Sequence, residues 1–219
     1  MANGRASLMT DELKLFLYPL GYLSSVFFAL RFIIQWLQSE KLGHVVVPAL
    51  FWQLSLAGNL FLLIHSLIQM QYHVALVQTL NGVISWRNLN LMTSSQKSFS
   101  FTVFLMFLFS SLTTSYFLFV APEWFSAPIG SYQLHLNWHL FGFFGIVLFS
   151  LRFLVQWWQS ERHHQSELTP LFWVMSLAGG LMSLIYFLKL KDPVNALGPA
   201  LGLIPYIRNL MLIRKKRIV

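Results

Sequence analysis

Long apolar runs alternate with short polar links along this chain. A membrane-spanning helix needs about 20 predominantly apolar residues. Seven runs reach that length: Leu15–Gln38, Pro48–Gln69, His73–Leu91, Phe99–Val120, Trp138–Gln159, Pro170–Leu190 and Pro193–Ile213. At about 21 residues each they use some two thirds of the chain, so no separate soluble domain is expected among the 219 residues. The expected fold is an all-α integral membrane protein. The longest link, Ala121–Asn137, interleaves Trp124, Phe125, Tyr132 and Leu134 with few charges. It is expected to lie along the membrane interface. The first span contains Arg31, is too long for a cleavable signal peptide and lacks a small-residue cleavage site.

Composition supports this pattern. Hydrophobic residues make up 56% and charged residues 10%, against about 25% charged in a soluble domain. Neither a water-soluble globule nor a disordered chain fits. Cysteine is absent, which excludes disulfides, thiolate metal sites and cysteine nucleophiles. The net charge of +8 would point to nucleic acid in a soluble protein. Here the basic residues flank apolar runs, so they act as topology signals and no nucleic-acid partner is expected. Arg5, Lys14, Lys189 and Lys191 fall on one side. Lys41, Arg87, Lys97, Arg162, Arg208, Arg214, Lys215, Lys216 and Arg217 fall on the other. The richer side should be cytoplasmic, with the N-terminus outside and the C-terminus inside.

The chain also repeats itself. RFIIQWLQSE at Arg31–Glu40 returns as RFLVQWWQSE at Arg152–Glu161, and FWQLSLAG at Phe51–Gly58 as FWVMSLAG at Phe172–Gly179. Arg87-Asn88-Leu89 returns as Arg208-Asn209-Leu210, and all three matches share one offset. The offset contains four spans, an even number, so both copies should run in the same direction through the bilayer. The expected architecture is a 3+1+3 parallel tandem repeat of three-helix bundles. Residues 1–14 form a tail, 15–92 the first repeat and 93–137 a linker helix with the outer link. The second repeat takes 138–213, and 214–219 form a basic cytoplasmic tail. The linker helix, rich in Phe, Leu, Ser and Thr, is expected to be a passive lipid-facing tether.

These repeated segments resemble the lipid A biosynthesis N-terminal domain family, over residues 24–92 and 145–213. That domain occurs alone or fused ahead of a lipid-A-disaccharide synthase, and it is similar to the PQ-loop, SWEET and KDEL-receptor group of three-helix repeats. No Pro-Gln dipeptide occurs in this chain. The resemblance implies a bacterial inner-membrane protein of lipopolysaccharide or other envelope glycolipid biosynthesis. Undecaprenyl-phosphate sugars and lipid A precursors are the implied substrates. A glycosyltransferase domain is not expected within these residues.

The polar residues inside the spans are the candidate site. On a helical wheel Gln35 and Gln38 fall within about 40° of Arg31. Gln156 and Gln159 stand in the same relation to Arg152. Trp36 and Glu40 occupy another face, as do Trp157 and Glu161. Arg31 and Arg152 either snorkel to the interface or line a cavity, where guanidinium grips phosphate bidentately with amides beside it. Arg87 and Arg208 either anchor at the interface or reach a ligand. Asn88 and Asn209 bond a ligand or a neighbouring helix. Ser55, Gly58, Ser176 and Gly179, small residues spaced by three, mark close helix packing. The copies differ at Asn59, Gln78, Asn81 and Ser85, which are matched in the second copy by Gly180, Pro199, Gly202 and Tyr206. The first three join the candidate substrate-binding set. Gly198, Pro199, Gly202 and Pro205 either break the last span or kink it for packing.

Catalytic constellations are weak, because every acid lies in a tail, a link or a span end. His135 and His139, and His163-His164 beside Glu161 and Glu167, have metal-binding spacing. Surface histidines are commoner, so neither a metal nor a cofactor is expected. The leading reading is a transporter or flippase for an anionic lipid-linked sugar. The alternatives are a non-catalytic membrane partner of a glycosyltransferase and a membrane enzyme acting on a lipid headgroup. Oligomeric state stays open.

Overall fold

The apolar runs become seven helices in a computed structural model that describes residues 15–17, 19–68, 72–120, 136–190 and 193–216. They are α1 (Pro19–Leu42), α2 (Ala49–Ile68), α3 (Tyr72–Leu91), α4 (Phe99–Val120), α5 (Leu136–His163), α6 (Pro170–Lys189) and α7 (Pro193–Lys216). The expected interfacial link and the N-terminal tail lie outside the described residues, apart from the link's last two positions. Five helical segments are long and apolar enough to cross a membrane, by length and composition: Leu15–Leu42, Ala49–Ile68, Phe99–Phe119, Asn137–His163 and Pro170–Lys189. The other two are α3 and α7, which carry the Arg-Asn pairs and the polar or proline-rich positions of each copy. The Arg-Asn pairs of these two helices bond across the copies, as described below.

Two helices run further than their apolar content predicts. The first run was expected to end at Gln38 and the fifth at Gln159, but α1 continues to Leu42 and α5 to His163. The extra turn is kept because its side chains bond within the fold: Ser39 and Ser160 are fully buried. Both helices stop at the same repeat position. Gly43 adopts φ +70° and His164 φ +51°, the left-handed conformation that terminates helices. Conversely, α7 runs unbroken through Pro199 and Pro205, so the break considered for the last span does not occur.

Packing follows the two copies. α2 lies against α1 and α3, and α6 against α5 and α7. Across the copies α1 meets α7 and α3 meets α5. The small residues allow close approach. A methyl added at Gly179 would lie 2.6 Å from the Phe149 backbone nitrogen, and one at Gly58 would lie 2.6 Å from the Phe28 ring. The core is aromatic: Phe32, Phe51, Trp52, Phe153, Phe172, Trp173 and Tyr206 form one cluster with Val83, Ile84, Met106 and Leu168.

Helix α4 is more than a tether. Its outer face exposes Phe104, Phe107 and Phe119, as a lipid-facing helix should. Its inner face carries a Thr113–Thr79 hydroxyl contact to α3 at 3.0 Å. Phe99 stacks on Trp157 of α5, with centroids 5.4 Å apart and planes within 6°. α4 thus covers the seam between α3 and α5.

Candidate functional site

Each repeated motif supplies one half of a tie between the copies. Gln35 donates to Asn209 Oδ1 at 2.8 Å, and Asn209 donates back to Gln35 Oε1 at 3.0 Å. Gln156 and Asn88 make the same reciprocal pair at 2.8 and 3.2 Å. The glutamine amides also hold the loops that follow their helices, through Val46 O at 3.2 Å and Glu167 O at 3.0 Å. Ser39 Oγ accepts from the Val46 amide and Ser160 Oγ from the Glu167 amide. One turn later the acids complete the tie. Trp36 donates to Glu40 at 2.9 Å and Trp157 to Glu161 at 2.8 Å, because i and i+4 share a helix face. Each glutamate then receives a two-pronged arginine from the other copy: Arg208 on Glu40 and Arg87 on Glu161.

The two ties differ in exposure. The Arg87 and Glu161 side chains are 3% and 8% exposed, whereas Arg208 and Glu40 are 41% and 29% exposed. Arg87 is also held by Asn90 Oδ1 at 2.8 Å and by the Lys97 carbonyl just before α4. Arg87 is therefore no interfacial anchor. The amides, the Arg-Asn pairs and Trp36, Trp157, Glu40 and Glu161 are all engaged in joining the copies.

Deeper in the protein lie Arg31 and Arg152, only 5% and 4% exposed. Neither guanidinium reaches the surface. Arg31 donates to Ser55 Oγ at 3.0 Å, and Arg152 to the Phe149 carbonyl at 2.8 Å. Aromatic rings supply most of the remaining surroundings. Arg31 lies 4.6 Å from the centroid of Phe28 and 4.8 Å from that of Phe32. Arg152 lies 3.3 Å from that of Phe149. Both arginines share the Phe153 ring, at 5.2 and 4.9 Å. The three acids among the described residues are engaged elsewhere, Glu40 and Glu161 in the ties and Glu167 with His163. Sharing one ring puts the two charges no more than about 10 Å apart, where like charges repel by roughly 2 kcal/mol or more at an effective dielectric of about 20. Cation–π contacts offset part of this, at about 0.5–2 kcal/mol each, but they add no negative charge.

Four buried nitrogens here have no hydrogen-bond acceptor: Arg31 Nε, Arg152 Nε, Trp52 Nε1 and Trp173 Nε1. They form two repeat-related pairs. Trp52 packs on Phe153 at 6.4 Å and Trp173 on Tyr206 at 6.2 Å, within the same aromatic cluster as the arginines. Buried polar groups are normally satisfied, so two guanidiniums without a counter-charge among the described residues, each with an orphan Nε, and two orphan indole N–H groups make a region short of acceptors. The sequence reading did not include Trp52 and Trp173. The signal was present, since each sits in the repeated Phe-Trp motif, but a tryptophan in an apolar span reads first as core.

The remaining candidates are less central. Gln38 is exposed, while Gln159 is half-buried and accepts from Thr169. Asn59 is buried and donates to Ser85 at 3.2 Å. In the second copy Tyr206 fills that space: a methyl on Gly180 would lie 3.5 Å from its ring, and one on Gly202 would lie 2.3 Å from its hydroxyl. Gln78 and Asn81 are half-buried on α3. Of the histidines with metal-binding spacing, His163 pairs with Glu167 and His139 contacts the Tyr186 hydroxyl.

The fold and the site define a helical membrane-associated domain built from two copies of one motif set. The model of the Lipid A Biosynthesis N-terminal domain matches this chain twice, over residues 20–90 and 141–211. The chain belongs to that family. It is 40% identical over 205 residues to a lipid-A-disaccharide synthase of Chlamydia pneumoniae, covering 92% of this chain and 34% of that protein. The synthase of Chlamydia caviae is 38% identical over 210 residues, covering 91% and 33%. That of Chlamydia muridarum is 37% identical over 220 residues, covering 95% and 36%. The chain spans about a third of the length of these curated relatives. No solved structure matches it.

Proposed function

We propose that this protein is a transporter or flippase that takes the anionic headgroup of a lipid-linked sugar onto the Arg31–Arg152 pair. The observation that carries the proposal is the pair of buried guanidiniums without a counter-charge among the described residues, whose Nε groups, like the Trp52 and Trp173 indole N–H groups, lack an acceptor. A phosphate supplies negative charge and several acceptor oxygens to guanidinium forks. Undecaprenyl-phosphate sugars and lipid A precursors have that chemistry, and the family's name and its synthase relatives favour a lipid of this pathway. The seven helices are read as a 3+1+3 parallel repeat in a bacterial inner membrane, with the N-terminus periplasmic and the C-terminus cytoplasmic. Binding at a site between two parallel copies is the common transporter plan.

The test replaces each arginine by lysine. Lysine keeps the charge and loses the planar fork. Binding of a phosphate-headed polyprenyl lipid should weaken about tenfold to a hundredfold per lost charge-assisted contact of about 1.5–3 kcal/mol. Expression and melting temperature should stay unchanged. Full binding by the double Arg31→Lys, Arg152→Lys variant would refute the phosphate site.

A second reading follows from the relatives. The matched region is only about a third of proteins named lipid-A-disaccharide synthases, so this domain acts alternatively as a membrane partner that presents a lipid to a glycosyltransferase. Copurification of such an enzyme, with lipid binding but no lipid movement in vesicles, would select this reading over transport.

A further inference from the structure

The two seams between the copies are equivalent by sequence and unequal in cover. At the α3–α5 seam, α4 lays Phe99 on Trp157 and the Lys97 carbonyl accepts from Arg87. Among the described residues, no helix takes the corresponding place at the α1–α7 seam, where α1 packs on α2 and α7 and α7 on α6 and α1. The Glu40–Arg208 tie is consequently open, and a cavity of about 300 Å³ lies beside it, lined by Glu40, Gly43, Arg208, Met211, Leu212 and Lys215.

The seam has an amphipathic axis. Arg208 and Lys215 give the cavity two cations against the one carboxylate of Glu40. On α7, Leu201 and Ile204 precede Arg208 by seven and four residues, so they share its helix face. They are 61% and 64% exposed. On α1, Ile33 precedes Glu40 by seven residues, again on one face, and is 46% exposed. A basic pocket thus opens at one end of an uncovered apolar track. Along α1, Gln35, bonded to Asn209, comes between Glu40 and Arg31, which are about 13 Å apart along the helix at 1.5 Å per residue.

We infer that the α1–α7 seam is the lateral portal and outer binding site for an anionic membrane lipid. The phosphate rests at Arg208 and Lys215, and the acyl or prenyl chain lies along Ile33, Leu201 and Ile204. Opening of the exposed Glu40–Arg208 tie, followed by the Gln35–Asn209 pair, admits the headgroup to the arginine pair. The α3–α5 seam stays shut beneath α4. This inference rests on the phosphate-site reading of Arg31 and Arg152.

The absence of native cysteine makes the test clean. Met211→Cys protein in nanodiscs would be modified with a biphenyl methanethiosulfonate, which fills the pocket, leaves the Glu40–Arg208 pair intact and is released by reductant. The probe is a fluorescent phosphate-headed polyprenyl lipid supplied in the bilayer. Its binding to the arginine pair, measured as the part lost in Arg31→Lys, Arg152→Lys, should vanish on modification and return on reduction. Arginine-dependent binding that survives modification would overturn the portal and leave the phosphate site standing. Binding in unmodified protein that does not depend on the arginines would overturn both.

Discussion

The two ties offer an internal comparison, because one motif pair is buried and its copy is half open. Glu161→Gln removes the charge facing Arg87 and keeps nearly the same shape. Both side chains are under 10% exposed, so the arginine is left charged and out of water. Breaking a buried ion pair from one side costs about 3–5 kcal/mol. Arg87 retains Asn90 Oδ1 and the Lys97 carbonyl, which places the expected loss near the lower end, about 3 kcal/mol. The same change at Glu40 leaves Arg208 with access to water, so its effect should be much smaller and should shrink with salt. The assay is reversible unfolding in mixed micelles, run as a double-mutant cycle with Arg87→Ala and with Arg208→Ala. A strong coupling between 87 and 161 and a weak, salt-sensitive one between 208 and 40 is expected. Equal couplings would show that burial in this fold does not set the strength of the ties.

The amide pairs should differ between the copies: Gln35→Ala strands Asn209 Oδ1, at about 1–3 kcal/mol in the same unfolding assay, whereas Gln156→Ala leaves Asn88 Oδ1 accepting from Ser166 at 2.7 Å and should cost less. Gly179→Ala should lower the melting temperature, because its methyl would meet the Phe149 backbone, whereas Gly198→Ala meets nothing within 4 Å and should be tolerated. Single cysteines at Ser7 and Val219 should label from opposite sides of intact spheroplasts; labelling from one side would contradict the seven-span reading.

The sequence revealed the repeat, its register and the faces of several polar residues. Trp36 and Glu40 were legible as one face, and they bond each other. The partner across the copies was not legible, since a wheel gives direction on one helix and says nothing about which helix stands opposite. Gln35 therefore seemed a companion of Arg31, whereas its amide is held by Asn209 and Val46. Gln38 shares the Arg31 stripe by angle, yet the burial one turn after Gln35 falls on Ser39. The orphan donors of Trp52 and Trp173 could not be foreseen either, because lack of an acceptor is a property of the assembled surroundings. The unequal seams likewise depend on where α4 lands, and its composition predicted only lipid exposure.

The central claim is that a lipid phosphate sits between Arg31 and Arg152, and its most direct test is proximity measured nucleus to nucleus. Protein labelled with ¹⁵N-arginine would be embedded with a phosphate-headed polyprenyl lipid, and ¹⁵N–³¹P dipolar dephasing recorded by solid-state NMR. Dephasing of guanidinium signals that disappears in Arg31→Lys, Arg152→Lys is the predicted result. Dephasing unchanged in that variant, coming only from the other arginines, would contradict it.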